Sequence, residues 1–160
     1  MEYSVDYVQV LIDSLQKKVK LLDNIIQIDE EQRQLAAAQK LDLEQLDDTV
    51  NRKSEYIDEL NKLDEGFQLI YDRVKPSLQG EPEKHKEGIV KLKQLISEIT
   101  DKSVAIQAEE ERNRQAIAGH FASYKKEIRQ FKASRDATSN YYKSMNKLQN
   151  VQPVFMDKKK

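Results

Sequence analysis

From Ile89 to Phe131 the chain repeats a seam position every three or four residues for more than forty residues, and ten of the thirteen positions are apolar or aromatic. The positions are Ile89, Leu92, Ile96, Ile99, Ser103, Ile106, Glu110, Asn113, Ile117, Phe121, Tyr124, Ile128 and Phe131. Steps of three and four trace one stripe along an α-helix, and a stripe this regular is a seam for packing against other helices. Proline is absent from the stretch and its one glycine, Gly119, comes late. At the α-helical rise this is roughly 60–70 Å of helix, whose apolar stripe needs other helices to bury it. The rest of the chain must supply its partners.

Two shorter segments read as those partners. The first carries Val5, Val8, Ile12, Leu15, Val19, Leu22 and Ile26, opening at Ser4 as a cap with Asp6 in the first turn. Its next seam positions, Asp29 and Arg33, are polar, and Leu35 with Ala36, Ala37 and Ala38 then sustains the helix. The second carries Leu43, Leu46, Val50, Lys53, Ile57, Leu60, Asp64, Phe67, Tyr71 and Val74. Asp42 with Gln45 three residues on resembles a capping box, which places a turn near residues 39–41; without that turn the first two segments would form one rod unable to bury its own seam. Pro76 should end the second helix, and the segment from Pro76 to Pro82 reads as the clearest loop. Pro82 suits the first turn of the third helix. The expected fold is all-α: an elongated antiparallel three-helix bundle with coiled-coil-like seams, its helices near 4–38, 42–75 and 82–132. The bundle would occupy residues 1–134, and residues 135–160 would form a mobile tail with a short amphipathic segment.

Folded up, down and up, the helices bring three polar interruptions to one height. These are Asp29 to Arg33 on the first, Asn51, Arg52, Lys53 and Glu55 on the second, and Glu109 to Arg114 on the third. Their coincidence supports the antiparallel register and predicts a weak, wet layer across the core. The same matching carries the third helix past the first turn around residues 118–122. Tyr124, Ile128 and Phe131 should then overhang without an intramolecular partner, flanked by Lys125, Lys126, Arg129, Lys132 and Arg135. An exposed apolar stripe of this kind marks an interaction surface, unless a fourth helix from the tail covers it or the end frays.

Several function classes find no support. A helical composition, with four Gly and three Pro among 160 residues, leaves only seam-like cores and no apolar pocket that would shift a catalytic carboxylate. His85 and His120 are far apart and lack metal-ligand spacing, and no Gly-rich loop precedes a helix. We therefore expect no enzyme, no cofactor and no metal. A net charge of −1 gives no reason to expect nucleic acid, and the terminal Lys158, Lys159 and Lys160 are too few to change that. Cysteine is absent, which fits a reducing compartment. The residues Met1 to Asp6 do not read as a secretory leader, and no apolar run is long enough for stable membrane insertion.

The chain resembles a known family. A long first helix is followed by Leu-Asp-Leu-Glu-Gln-Leu (Leu41 to Leu46), a seam lysine at Lys53, and Leu-Asn-Lys-Leu-Asp (Leu60 to Asp64). Near the end come Tyr141-Tyr142, Met145-Asn146-Lys147-Leu148, and Phe155-Met156-Asp157-Lys158-Lys159. Together they are similar to the FlgN-type flagellar export chaperones over nearly the whole chain. The resemblance implies a cytoplasmic chaperone of flagellar type III secretion. Such a chaperone binds the C-terminal helices of the hook–filament junction proteins FlgK and FlgL and delivers them to the export-gate component FlhA. It further implies client contacts toward the C-terminal part, here Phe121, Tyr124, Ile128 and Phe131 together with Tyr141, Tyr142, Met145 and Leu148. The competing expectation is a homo-oligomeric coiled-coil scaffold whose stripe from Phe121 to Phe131 pairs with itself.

Overall fold

The computed structural model describes residues 6–131. Three α-helices account for nearly all of them: α1 Tyr7–Ala37, α2 Leu43–Gly80 and α3 Lys86–Phe131. The third is the longest at 46 residues, about 69 Å at the helical rise. Each step up α1 is matched by a step down α2, since Lys18 meets Asp64, Asp29 meets Lys53 and Gln32 meets Thr49. Between α1 and α3 the numbers rise together: Asp23 meets Lys102, Asp29 meets Asn113 and Ala36 meets His120. The bundle therefore runs up, down and up, as the three polar interruptions predict.

The three helices are not equivalent. The backbone of α1 packs closely along both α2 and α3, whereas α2 and α3 approach each other much less. Helix α1 accordingly buries two stripes. Val8, Ile12, Leu15, Leu22 and Asp29 belong to the seam expected from spacing, and Leu11, Leu21, Ile25, Ile28 and Gln32 form a second. The single-stripe reading missed the second because it assumed one partner per face. On α3 the correction goes the other way. Ile96 belongs to the expected seam, yet it is 51% exposed, and Leu95 takes its place beside Leu92 in the core.

The core falls into three clusters along the axis. The lowest holds Val8, Leu11, Ile12, Leu15, Val74, Leu92 and Leu95, with Phe67 stacked on Tyr71 at its edge. The middle one holds Leu21, Leu22, Ile25, Ile57, Leu60 and Ile106. The upper one is smaller, with Leu41, Leu46, Ile117 and Phe121.

Helix ends follow local chemistry, with some corrections. The cap of α1 is Asp6, not Ser4; its carboxylate accepts the Gln9 N–H. Asp42 caps α2 as its spacing predicts, accepting from the N–H groups of Glu44 and Gln45. Pro76 does not end α2, which runs on to Gly80. The missing N–H costs one ladder bond, but the added turn half-buries Leu78 against the lower cluster and lets Ser77 Oγ meet His85 Nε2 at 2.9 Å. The connection to α3 is correspondingly short. Pro82 lies in a run of turns closed by Lys84 N–H to Glu81 O and His85 N–H to Pro82 O, so α3 begins at Lys86.

At Gly88, α3 comes close to α1. A Cβ there would come within 2.5 Å of Val8 Cγ1, on a buried side chain that is stiff at χ1. Gly66 and Gly119 have open space instead. We expect Gly88→Ala to lower stability by about 1–3 kcal/mol, and Gly66→Ala to raise it by roughly 0.5–1 kcal/mol. Urea unfolding of both variants checks this; equal effects would mean that the helices do not meet at Gly88.

Candidate functional site

Two structural features bear on function: a buried polar layer and the upper end above it. The layer sits where the three interruptions coincide. Lys53 enters from α2 and is only 1% exposed. Its ammonium donates to Gln32 Oε1 at 2.9 Å and to both Glu110 oxygens at 2.8 and 2.9 Å, and lies 2.9 Å from Asp29 Oδ1. Gln32 Nε2 passes a bond to Thr49 Oγ1, whose hydroxyl donates to the Leu46 carbonyl. From α3, Asn113 Nδ2 donates to the Asp29 backbone carbonyl at 2.9 Å. Direct side-chain contacts thus span the layer, with Glu110 at its edge.

Its charges do not balance. Two carboxylates face one ammonium, and the Asp29 oxygens have the Lys53 charge beside them but no well-aligned hydrogen-bond donor. Burial, opposed by Lys53 and reinforced by Glu110, pushes the Asp29 carboxyl up to about 7. Arg52 on the rim is held charged by its bonds to Glu31 and Asp48. Such rim pairs contribute little individually. The inner trio is different, because removing its only cation strands two carboxylates and leaves Gln32 Oε1 without a donor.

Above the layer, α3 holds the α1–α2 corner by side chain to backbone bonds. His120 Nε2–H donates to the Ala36 carbonyl at 2.7 Å, satisfying one of the last acceptors of α1 and fixing the ring tautomer. The Tyr124 hydroxyl accepts from Leu41 N–H at 2.7 Å and donates to Leu41 O at 3.3 Å. The expectation that Tyr124 overhangs without an intramolecular partner is therefore corrected: it is half-buried at the corner, and Phe121 beside it is a buried member of the upper cluster. Tyr124 was placed one turn too far out because a backbone-binding role for a tyrosine hydroxyl leaves no trace in apolar spacing, whereas Phe121 sits in the core above the polar layer as the level matching implies. Ile128 and Phe131 lie in the last turns of α3, continuing the step pattern of Phe121 and Tyr124 past the corner. Lys125, Lys126, Glu127 and Arg129 around them are exposed. Tyr141, Tyr142, Met145 and Leu148, with the expected boundary at residue 134, lie outside the described residues.

Among the described residues no group of three or more His, Asp or Glu side chains is placed to hold a metal ion. His85 and His120 stand at opposite ends, each engaged with Ser77 or Ala36. No described helix is long and apolar enough to cross a membrane.

The layer generates a test. Lys53→Met should cost roughly 3–5 kcal/mol by leaving both carboxylates unpaired. Asp29→Asn, which removes the surplus charge and keeps the shape, should cost far less or stabilise. Urea unfolding near pH 7.5 distinguishes them, and equal losses would contradict the charge imbalance.

Comparison with known proteins completes the picture. The family model described as FlgN protein matches residues 1–149. No curated protein matches the chain, and no solved structure does. The match takes in all three helices, and the family is one of chaperones in flagellar biogenesis: the chain belongs to the FlgN family.

Proposed function

We propose that this chain is a cytoplasmic export chaperone of flagellar type III secretion. In this reading it binds the C-terminal helices of hook–filament junction proteins similar to FlgK and FlgL and brings them to an FlhA-like export-gate component. Family membership supports the general role. The observation that carries the placement of the client surface is the length of α3. Tyr124 meets the α1–α2 corner, and the helix continues to Phe131, about two turns beyond that contact. A client's amphipathic helix laid along these last turns would extend the bundle past the corner.

Within this proposal Ile128 and Phe131 are the anchors on α3, and Tyr141, Tyr142, Met145 and Leu148 supply further contacts from the following segment. Aromatic and methionine side chains suit a surface that accepts more than one client helix. Phe121 and Tyr124 contribute by shaping the end on which the client rests, since both are committed to the corner in the free chain. Basic Lys125, Lys126 and Arg129 rim the projection and would favour client segments with acidic flanks.

The test is a pull-down with the isolated C-terminal helical segments of the FlgK-like and FlgL-like proteins from the same genome. Replacing Ile128 and Phe131 together by Asp should abolish capture while leaving helix content and the unfolding midpoint nearly unchanged. Undiminished capture by that variant would remove the projection from the client site. A dimer on a sizing column, with no capture by the unaltered chain, would favour the self-pairing scaffold instead.

A further inference from the structure

The three core clusters are unevenly coupled. The lower and middle clusters hold seven and six buried apolar residues and share half-buried Ile99. The upper cluster has four and is cut off from them by the Asp29–Lys53–Glu110 layer. Beyond that layer, the corner from Ala36 to Leu46 depends on a small apolar patch and on the His120 and Tyr124 bonds to backbone. A small cluster bounded by a strained polar layer is the kind of segment that opens independently of the rest.

The layer's composition makes that opening sensitive to protons. Facing Asp29 are buried Lys53 and part-buried Glu110; around them stand Arg52 on α2, Glu109 with Arg112 on α3, and Glu30, Glu31 and Arg33 on α1. The rim cations are paired: Arg33 with Glu30, Arg52 with Glu31 and Asp48, Arg112 with Glu109. With both inner carboxylates ionised, the inner trio carries one surplus negative charge. A proton on Asp29 removes the surplus and turns one of its two oxygens, neither of which has a donor, into a donor toward the neighbouring Glu110. An open groove between α1 and α3 reaches down to Asn113 and Glu109, so solvent stands next to the layer.

We propose that the Asp29–Lys53–Glu110 layer is a proton-responsive joint, at which the α1–α2 corner and the facing part of α3 open as a unit while the lower bundle stays folded. The proposal stands on the fold and does not rest on the client reading. Closing the joint raises the affinity of Asp29 for a proton, so opening releases one. Its carboxyl titrates near 3.8 when open and at about 7 when closed. The sign follows: the closed state is favoured as pH falls through about 7, and the advantage is lost as pH rises through the same value. Between pH 6 and pH 8 the opening equilibrium should rise about tenfold, the effect of one pKa unit of protonation.

Native-state hydrogen exchange on the full chain, corrected for the intrinsic pH dependence of exchange, tests this. The amides of Leu46, Ile117 and Phe121 should open more readily than those of Leu15, Ile25, Leu95 and Ile106. Their opening should grow about tenfold from pH 6 to pH 8. Asp29→Asn should remove that growth while preserving the difference between upper and lower amides. Glu110→Gln provides a second variant: with one carboxylate gone, Asp29 stays ionised beside Lys53 and the pH effect should shrink. Upper and lower amides opening together would overturn the joint. A tenfold rise that persists in Asp29→Asn, or no rise in the unaltered chain, would overturn its proton linkage.

Discussion

One ammonium group, that of Lys53, meets all three chain segments at once. It reaches Asp29 and Gln32 on α1 and Glu110 on α3, from a position on α2 that is sealed from solvent. Apolar seams tolerate sliding by a heptad, because leucine against isoleucine is much the same one repeat along. A buried charge does not, since any slip would leave the lysine or its carboxylates unpaired in a low-dielectric interior. The layer therefore fixes which level of each helix faces which. Everything above it follows from that alignment, including the meeting of Tyr124 with Leu41 and the distance α3 extends past the corner.

The alignment is purchased with stability. A core that runs apolar through this level would be easier to bury than two carboxylates and one ammonium. What the polar layer gives in exchange is a division of the molecule. The lower two thirds form a continuous core around α1, while the corner above depends on four buried apolar side chains and a few bonds to backbone. Under the proposed client-binding role, an end that adjusts without unfolding the rest would suit both holding a client helix and releasing it. The FlgN membership of the chain and the projecting end of α3 point the same way.

Much of this was legible in residue spacing. The three helices and the coincidence of polar residues at one level came from counting steps of three and four, and the turn before Asp42 from the capping-box spacing of Asp42 and Gln45. Lys53 in a seam was the strongest single signal, because a charge at such a position must find partners on the facing helices. Three features were hidden. The second stripe of α1, through Leu11, Leu21 and Ile25, looks like a widened seam and only makes sense once α1 has two close neighbours. Pro76 is a strong stop signal, but the packing of Leu78 and the Ser77–His85 contact outweigh one missing hydrogen bond. The roles of His120 and Tyr124 lie in polar atoms that bind backbone, which an apolar pattern does not register. As a result the overhang was placed one turn early.

The measurement that bears most directly on this account is a double-mutant cycle between Lys53 and Glu110, using Lys53→Met, Glu110→Gln and the pair, with urea unfolding near neutral pH. The two groups are 2.8 Å apart, the ammonium buried and the carboxylate at the edge of the layer. If their contact aligns α2 with α3, the cycle should give a coupling of at least about 1.5 kcal/mol, in the range of contacting residues in one network. A coupling within about 0.5 kcal/mol of zero, as for independent sites, would show that the helices align without the buried ammonium.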